Sequence, residues 1–218
     1  MAKKYIPYSP YRPNGTNKQR FVEPLANEQE IKKVLNYLHS QKNKRNYCMF
    51  CMLYGFGMRI TDALNMTWDW VLNPDLSIKD IVWLQESKKH RIRQLAMNNL
   101  IRNAIIIYKE ELESNHISII LGNYMFPSQK GYNKPMLQSN ASRLFKKIFA
   151  DAHCDPQYNY CSHTPRKTAG KMLYEHGMKV WEISKFLGHT DAQQTLCYIG
   201  ISNKKVKDMH NILSDILE

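Results

Sequence analysis

The chain has 218 residues, of which 43% are hydrophobic, and it contains four Trp, thirteen Tyr and seven Phe. This is enough apolar surface for one domain with a sizeable core, and it excludes a disordered chain. Thirty-one Lys and Arg against nineteen Asp and Glu leave a formal charge of +12, which favours nucleic acid as a partner over an anionic membrane surface.

Neither a membrane span nor a signal peptide is predicted. No stretch reaches the roughly eighteen apolar residues that a transmembrane helix needs, and the N-terminus lacks an apolar core. We therefore expect a cytoplasmic protein that does not enter a membrane.

The first 22 residues are predicted to form a basic arm. Residues 1–20 contain no Asp or Glu, and their prolines alternate with tyrosines, which is typical of an extended segment rather than a packed element. The arm either contacts DNA or is a solvated tail. The basic residues available for such contacts are Lys3, Lys4, Arg12, Lys18 and Arg20.

The folded part is predicted to begin near Pro24 with two helices. Asn27 followed by Glu30 resembles a capping box, and apolar residues then recur at helical spacing. A second helix is expected to end near Gly55 and Gly57.

The second helix contains Cys48 and Cys51, whose spacing occurs in metal and redox sites. No second pair of ligands accompanies them at zinc-site spacing. The surrounding run is apolar, so we interpret both as buried thiols.

The remaining elements are mostly helical. A basic turn at 88–91 is predicted to join two short strands within 78–97. The predicted helices after the first two cover 59–66, 98–114, 138–153, 165–176, 179–187 and 203–217. The fold class is therefore α+β, mainly helical, with a small antiparallel sheet.

His163 and Arg166 lie at the predicted start of a helix. Thr164 can cap this helix and Pro165 suits its first turn. Because backbone N–H groups at a helix start favour an anion, the two side chains lie at a candidate anion site.

Two more polar residues follow the next helix stops. Gly177 and Gly188 are natural helix ends, which leaves His189 just past a helix and Tyr198 nine residues further on. The residue pattern alone does not establish whether these side chains meet in space.

The stretch from 163 to 198 resembles the C-terminal signature of the tyrosine recombinase family. The similarity consists of the pair His163 and Arg166, the tripeptide that ends in His189, and Tyr198 with Thr195 three residues before it. Upstream, residues 54–68 are similar to the first arginine box of that family.

This resemblance, over roughly residues 23–200, implies a catalytic role for Arg59 and a supporting, orienting role for Asp62. It also implies a catalytic lysine on the hairpin turn, where Lys88 is the best match and Lys89 the second. Lys89 and Arg91 are also candidate DNA contacts. The implied fold is the catalytic domain of the family over 23–202.

The implied reaction is cleavage and rejoining of DNA through a 3′-phosphotyrosyl intermediate on Tyr198. A covalent intermediate conserves the phosphodiester energy, and two arginine forks suit the charge on the phosphoryl oxygens. In the family the hairpin lysine protonates the leaving oxygen, and His163 and His189 position the phosphate. No metal or other cofactor is expected.

The resemblance also implies double-stranded DNA as partner and a homo-tetramer assembled on it during integration, excision or inversion, as in mobile genetic elements. The helix at 203–218 either packs on its own core or docks on a neighbouring protomer. Most family members carry a further DNA-binding domain before the catalytic one. We therefore expect weaker isolated binding, or help from the arm, an accessory DNA-binding protein or neighbouring protomers.

Three positions depart from the family pattern. Pro165 and Lys167 remove no catalytic group, and Ala96 replaces a frequent proline at the end of the second hairpin strand, a position that bears on the hairpin register and hence on Lys88. Two other functions stay open. One is a DNA-binding regulator that keeps the fold without catalysis, and the other is a topoisomerase-like enzyme that nicks and reseals DNA.

Overall fold

The computed structural model of the chain describes residues 22–87, 92–189 and 192–199, and these fold mainly as helices, with a short antiparallel hairpin. The predicted fold class, α+β with a small antiparallel sheet, is confirmed. The elements in chain order are α1 (Glu28–Ser40), α2 (Lys44–Gly55), α3 (Ile60–Leu64), α4 (Trp68–Val71), β1 (Ile81–Gln85), β2 (Ile92–Ala96), α5 (Asn99–Ser114), α6 (Gln138–Asp151), α7 (Thr164–Glu175), α8 (Val180–Leu187) and α9 (Ala192–Ile199).

Helix α1 begins where the capping signal predicts. The side chain of Asn27 accepts a hydrogen bond from the backbone N–H of Glu30 at 3.0 Å, which satisfies one of the free donors of the first turn. Ile31, Val34 and Leu38 then lie on the buried face of the helix. The apolar spacing therefore identified both the helix and the face that packs.

Helix α2 lies at the centre of the core and packs against α1, α5 and α7. Every residue from 47 to 53 is buried, as expected of a helix that is apolar all round. Cys48 and Cys51 are free thiols with no exposed surface, so the interpretation as core thiols is confirmed.

Strands β1 and β2 pair antiparallel, with Trp83 opposite Gln94. Side chains alternate between the two faces, and Val82, Leu84 and Leu95 point into the core. By the same alternation Glu86, the residue after β1, lies on the buried side. The hairpin thus carries a carboxylate toward the interior.

Residues 22–26 run along α7 as an extended strap. The hydroxyl of Thr164 donates to the Glu23 carbonyl at 2.9 Å, and the Leu25 N–H donates to the Thr168 hydroxyl at 2.9 Å. Lys167 Nζ donates to the Val22 carbonyl, also at 2.9 Å. One face of α7 therefore holds the strap in place.

Two helices were not predicted. Helix α4 has a single turn, and α9, which carries Tyr198, begins at Ala192, three residues after His189. The arm, the turn at 88–91 and the helix expected at 203–217 lie outside the described residues, and the domain boundaries at 22 and 202 stay predictions. None of the described helices is long and apolar enough to cross a membrane.

Candidate active site

Three arginines donate hydrogen bonds to carbonyls at the C-terminal end of α8. Gly188 ends the helix in the left-handed conformation, with φ of 64°, as predicted for a helix stop. The last carbonyls of a helix lack partners within it and carry partial negative charge. They accept from three different guanidinium groups, with Arg93 donating to the Phe186 carbonyl, Arg166 to the Leu187 carbonyl at 2.5 Å and Arg59 to the Gly188 carbonyl at 3.4 Å.

Arg166 is the most buried of the three, with 1% of its surface exposed. Its other terminal nitrogen donates to the Gly57 carbonyl at 2.5 Å, so one guanidinium links the end of α2 to the end of α8. Burial lowers the pKa of Arg166 to about 10, with Arg59 and Arg93 acting in the same direction and Tyr198 opposing them. The group therefore remains a cation at neutral pH.

Arg59 lies directly before α3 as its N-cap residue. One nitrogen pairs with Glu86 Oε1 at 2.9 Å and lies 3.9 Å from Asp62 Oδ2. Asp62 is buried and also accepts the N–H of Ser87 at 3.0 Å. Asp62 thus contacts both a candidate catalytic arginine and the residue that precedes the hairpin turn.

His163 occupies the N-cap position of α7. Sequence reasoning assigned the cap to Thr164, but the helix begins at Thr164, whose hydroxyl instead bonds the strap. Within the described residues, Nδ1 of His163 is buried and has no hydrogen-bond partner. Burial, and then the charges of Arg166, Lys167 and Arg59, lower the pKa of His163, so the ring is neutral at pH 7.

Tyr198 lies among the other candidate residues. Its ring centroid is 4.7 Å from that of His189 and 5.7 Å from Cζ of Arg166. His189 Nδ1 is 2.9 Å from the buried Thr195 hydroxyl. Thr195 lies one turn before Tyr198 on α9, so this contact holds the imidazole close to Tyr198. Lys167 Nζ lies 5.0 Å from the Tyr198 ring centroid, so two cations lie close to this ring.

The structure therefore brings together Arg59, His163, Arg166, His189 and Tyr198. The predicted lysines Lys88 and Lys89, together with Arg91, lie outside the described residues. The arm residues Lys3, Lys4, Arg12, Lys18 and Arg20 also lie outside them, so their roles stay predictions.

Sequence reasoning missed two members of the site, Glu86 and Arg93. The signal that could have found Glu86 is a charged residue at the inward position of a predicted strand pair. In the described part of the chain, no cluster of three or more His, Cys, Asp or Glu could hold a metal ion.

Comparison with known proteins gives consistent matches. The sequence model of the phage integrase family matches residues 25–205. YoeC of Bacillus subtilis (strain 168), described as a probable integrase/recombinase, is 27% identical over 195 residues, which cover 89% of this chain and 98% of YoeC.

Two solved structures share the fold. The XerA recombinase superposes with a TM-score of 0.67 at 18% identity, over 88% of this chain and 65% of XerA. The XerH site-specific recombinase, solved as a post-cleavage complex with palindromic difH substrate, gives a TM-score of 0.64 at 17% identity, over 89% of this chain and 54% of XerH. The chain also spans about half the length of the next curated relatives.

Proposed function

The chain belongs to the phage integrase family, the tyrosine recombinases, which are enzymes that cleave and religate DNA, and we propose that it is a site-specific recombinase with Tyr198 as its nucleophile. The observation that carries this proposal is the convergence of Tyr198 with Arg59 and Arg166 at the end of α8. A tyrosine beside the buried guanidinium group of Arg166, with the half-buried group of Arg59 at the same helix end, has a surrounding suited to attack on a phosphate.

In the proposed reaction, Tyr198 Oη attacks the phosphorus of the scissile phosphodiester. The Oη–P bond forms and the bond from phosphorus to the 5′ oxygen breaks, which leaves the DNA 3′ end attached to the enzyme. Negative charge grows on the two non-bridging oxygens, where planar arginine forks can donate two hydrogen bonds each. Arg59 and Arg166 would supply those donors.

Proton transfers complete the step. The leaving 5′ oxygen needs a proton, and Lys88 is the proposed donor, with Lys89 as the second candidate. The neutral ring of His163 and the ring of His189, held by Thr195, would position the phosphate and assist loss of the Tyr198 proton. Attack by the 5′ hydroxyl of a second strand would then reverse the chemistry and join new partners.

The proposed partner is double-stranded DNA. The formal charge of +12 supports a polyanionic ligand, and XerH, a protein of the same fold, was solved on a DNA substrate. Assembly as a tetramer, strand exchange through a Holliday junction and help from an accessory protein are further parts of the proposal. A basic arm at 1–22 and a docking helix at 203–218 would serve that assembly.

The test is covalent capture on a nicked substrate. Footprinting on DNA that flanks the gene first identifies the bound site, and a duplex nicked near the cleavage point then traps the intermediate. Wild type should give an adduct that resists SDS, and Tyr198→Phe should give none. Tyr174→Phe is the matched control, because it removes a hydroxyl from the same apolar cluster as Tyr198 and should leave the adduct intact.

The other functions predict different results. DNA retardation without any adduct would favour a regulator that has the fold without catalysis. An adduct without partner exchange between two labelled duplexes would favour a nicking and resealing enzyme.

A further inference from the structure

Glu86 has a role in the site that the proposed reaction does not assign. Its side chain has no exposed surface. A carboxylate in that position is costly unless cations pair with it, and Oε1 lies 2.9 Å from a terminal nitrogen of Arg59 and 3.3 Å from Nε of Arg93. One buried oxygen thus lies between a candidate catalytic arginine and a second arginine.

Arg93 extends this link to the helix that ends beside His189. It lies on β2, its side chain is 11% exposed, and it donates to the Phe186 carbonyl of α8. Burial lowers the pKa of Arg93, and the Glu86 charge raises it. The pair therefore joins the hairpin to both Arg59 and the end of α8.

Both flanks of the hairpin turn are fixed in this way. Before the turn, Glu86 is held by the arginines and Ser87 donates to Asp62 at 3.0 Å. After it, Arg93 is held by the α8 carbonyl. Residues 88–91, which include Lys88, connect these two flanks.

The charge of the cluster points to the same role. Arg59, Arg93 and Arg166 carry three positive charges and Lys167, near the Tyr198 ring, carries a fourth, while the buried carboxylates of Asp62 and Glu86 offset two of them. The cluster therefore keeps a net positive charge for a phosphodiester, which carries a negative charge. Without Glu86 the guanidinium groups would repel one another in a site from which water is largely excluded.

We propose that Glu86 and Arg93 are positioning residues, in which Glu86 holds the Arg59 guanidinium at the phosphate site and Arg93 fixes the hairpin to the end of α8. This inference rests on the proposed function. Neither residue touches the reacting atoms; each acts through the groups it holds. A displacement of about 1 Å in such a group can cost on the order of 100-fold in rate.

The experiment compares the cleavage rate with DNA affinity. Glu86→Gln keeps the shape of the side chain and removes its charge. At saturating protein, single-turnover adduct formation is expected to fall by about 10- to 100-fold, while the dissociation constant for the intact site changes less than threefold. A role confined to folding would instead lower the amount of active protein and leave the rate of the folded fraction unchanged.

Asp80→Asn is the matched control. It also removes a carboxylate from an arginine, Arg102, but this ion pair is exposed, with 89% of the Asp80 side chain in solvent. Its cleavage rate should equal that of wild type. A loss as large as that of Glu86→Gln would contradict a specific role for Glu86.

The double variant Glu86→Gln with Arg93→Gln keeps the test decisive if the single variant fails to fold. It removes one negative and one positive charge, so the net charge of the cluster is unchanged and the protein should fold, yet it should cleave slowly because Arg59 has lost the Glu86 carboxylate. Full recovery of the wild-type rate would overturn the inference, as would a wild-type rate in Glu86→Gln. If wild type itself forms no adduct, the proposed function fails and the inference fails with it.

Discussion

Replacing Gly188 by alanine should disturb both the fold and the site. Gly188 has φ of +64°, and a Cβ there would lie 2.4 Å from Glu86 Oε1 and 3.2 Å from Cδ of Arg93. The left-handed conformation costs an alanine about 1–2 kcal/mol, and overpacking costs about 1–3 kcal/mol. We therefore expect the free energy of unfolding to fall by about 2–5 kcal/mol, which a domain of ordinary stability survives.

Gly177→Ala separates the cost of the left-handed backbone conformation from the cost of overpacking. Gly177 also has a positive φ, +85°, but no atom lies within 4 Å of its hypothetical Cβ. This variant should lose only about 1–2 kcal/mol and cleave DNA at the wild-type rate, whereas Gly188→Ala should cleave at least about tenfold more slowly, because Glu86 has to move.

Urea unfolding at constant m-value measures the stabilities, and single-turnover adduct formation measures the rates. Equal losses of stability in the two variants, with equal cleavage rates, would refute the packing of Glu86 against the end of α8.

Three further predictions concern other groups. Arg166→Lys cannot reach both the Gly57 and Leu187 carbonyls, so single-turnover cleavage should fall by about 100- to 1000-fold with DNA retardation retained; a loss under tenfold would contradict the role. Burial holds the pKa of His163 below its ordinary 6.5, so the folded state binds this proton less readily than the unfolded chain. The stability that depends on neutral His163 is therefore present above about pH 6.5 and lost as the pH falls below it. In His163→Asn the unfolding midpoint should therefore vary less with pH between about pH 6.5 and 5 than it does in wild type. The same pH dependence in both proteins would exclude this coupling. Burial raises the pKa of Cys51 to about 12, so a thiol reagent at about pH 8 should label Cys51 only after unfolding. Peptide mapping detects the label, and fast labelling of the folded protein would show that α2 does not lie in the core.

Local signals predicted much of the fold. Asn27 identified the start of α1, and Gly177 and Gly188 identified the ends of α7 and α8, because these residues satisfy requirements set within a few positions of themselves. The hairpin was also predicted, since its alternation of apolar residues is local. The N-cap of α7 was assigned wrongly because Thr164 uses its hydroxyl for a distant partner, the strap.

Other features depend on tertiary contacts. Helix α9 has eight residues and is too short to be stable alone. It packs on α7 and α8, with Tyr198 against the cluster of Ile183 and Leu187. No local pattern shows that contact, so the helix that carries the candidate nucleophile was not predicted.

The site residues also fall into two groups, those that the sequence predicted and those that depend on tertiary contacts. The spacing of Arg59, His163, Arg166, His189 and Tyr198 resembles a family, and the structure brings these residues together. Glu86 and Arg93 were missed because their pairing depends on how the hairpin meets the end of α8. A carboxylate at an inward strand position is a usable signal in hindsight, but its arginine partners are distant in sequence.

The most direct measurement is the identity of the residue that becomes attached to DNA. The trapped adduct can be digested with protease and nuclease, and the modified peptide sequenced by mass spectrometry. We expect a nucleotide on Tyr198 through a phosphate to its 3′ oxygen. A nucleotide on any other residue, or a 5′ linkage, would contradict the account.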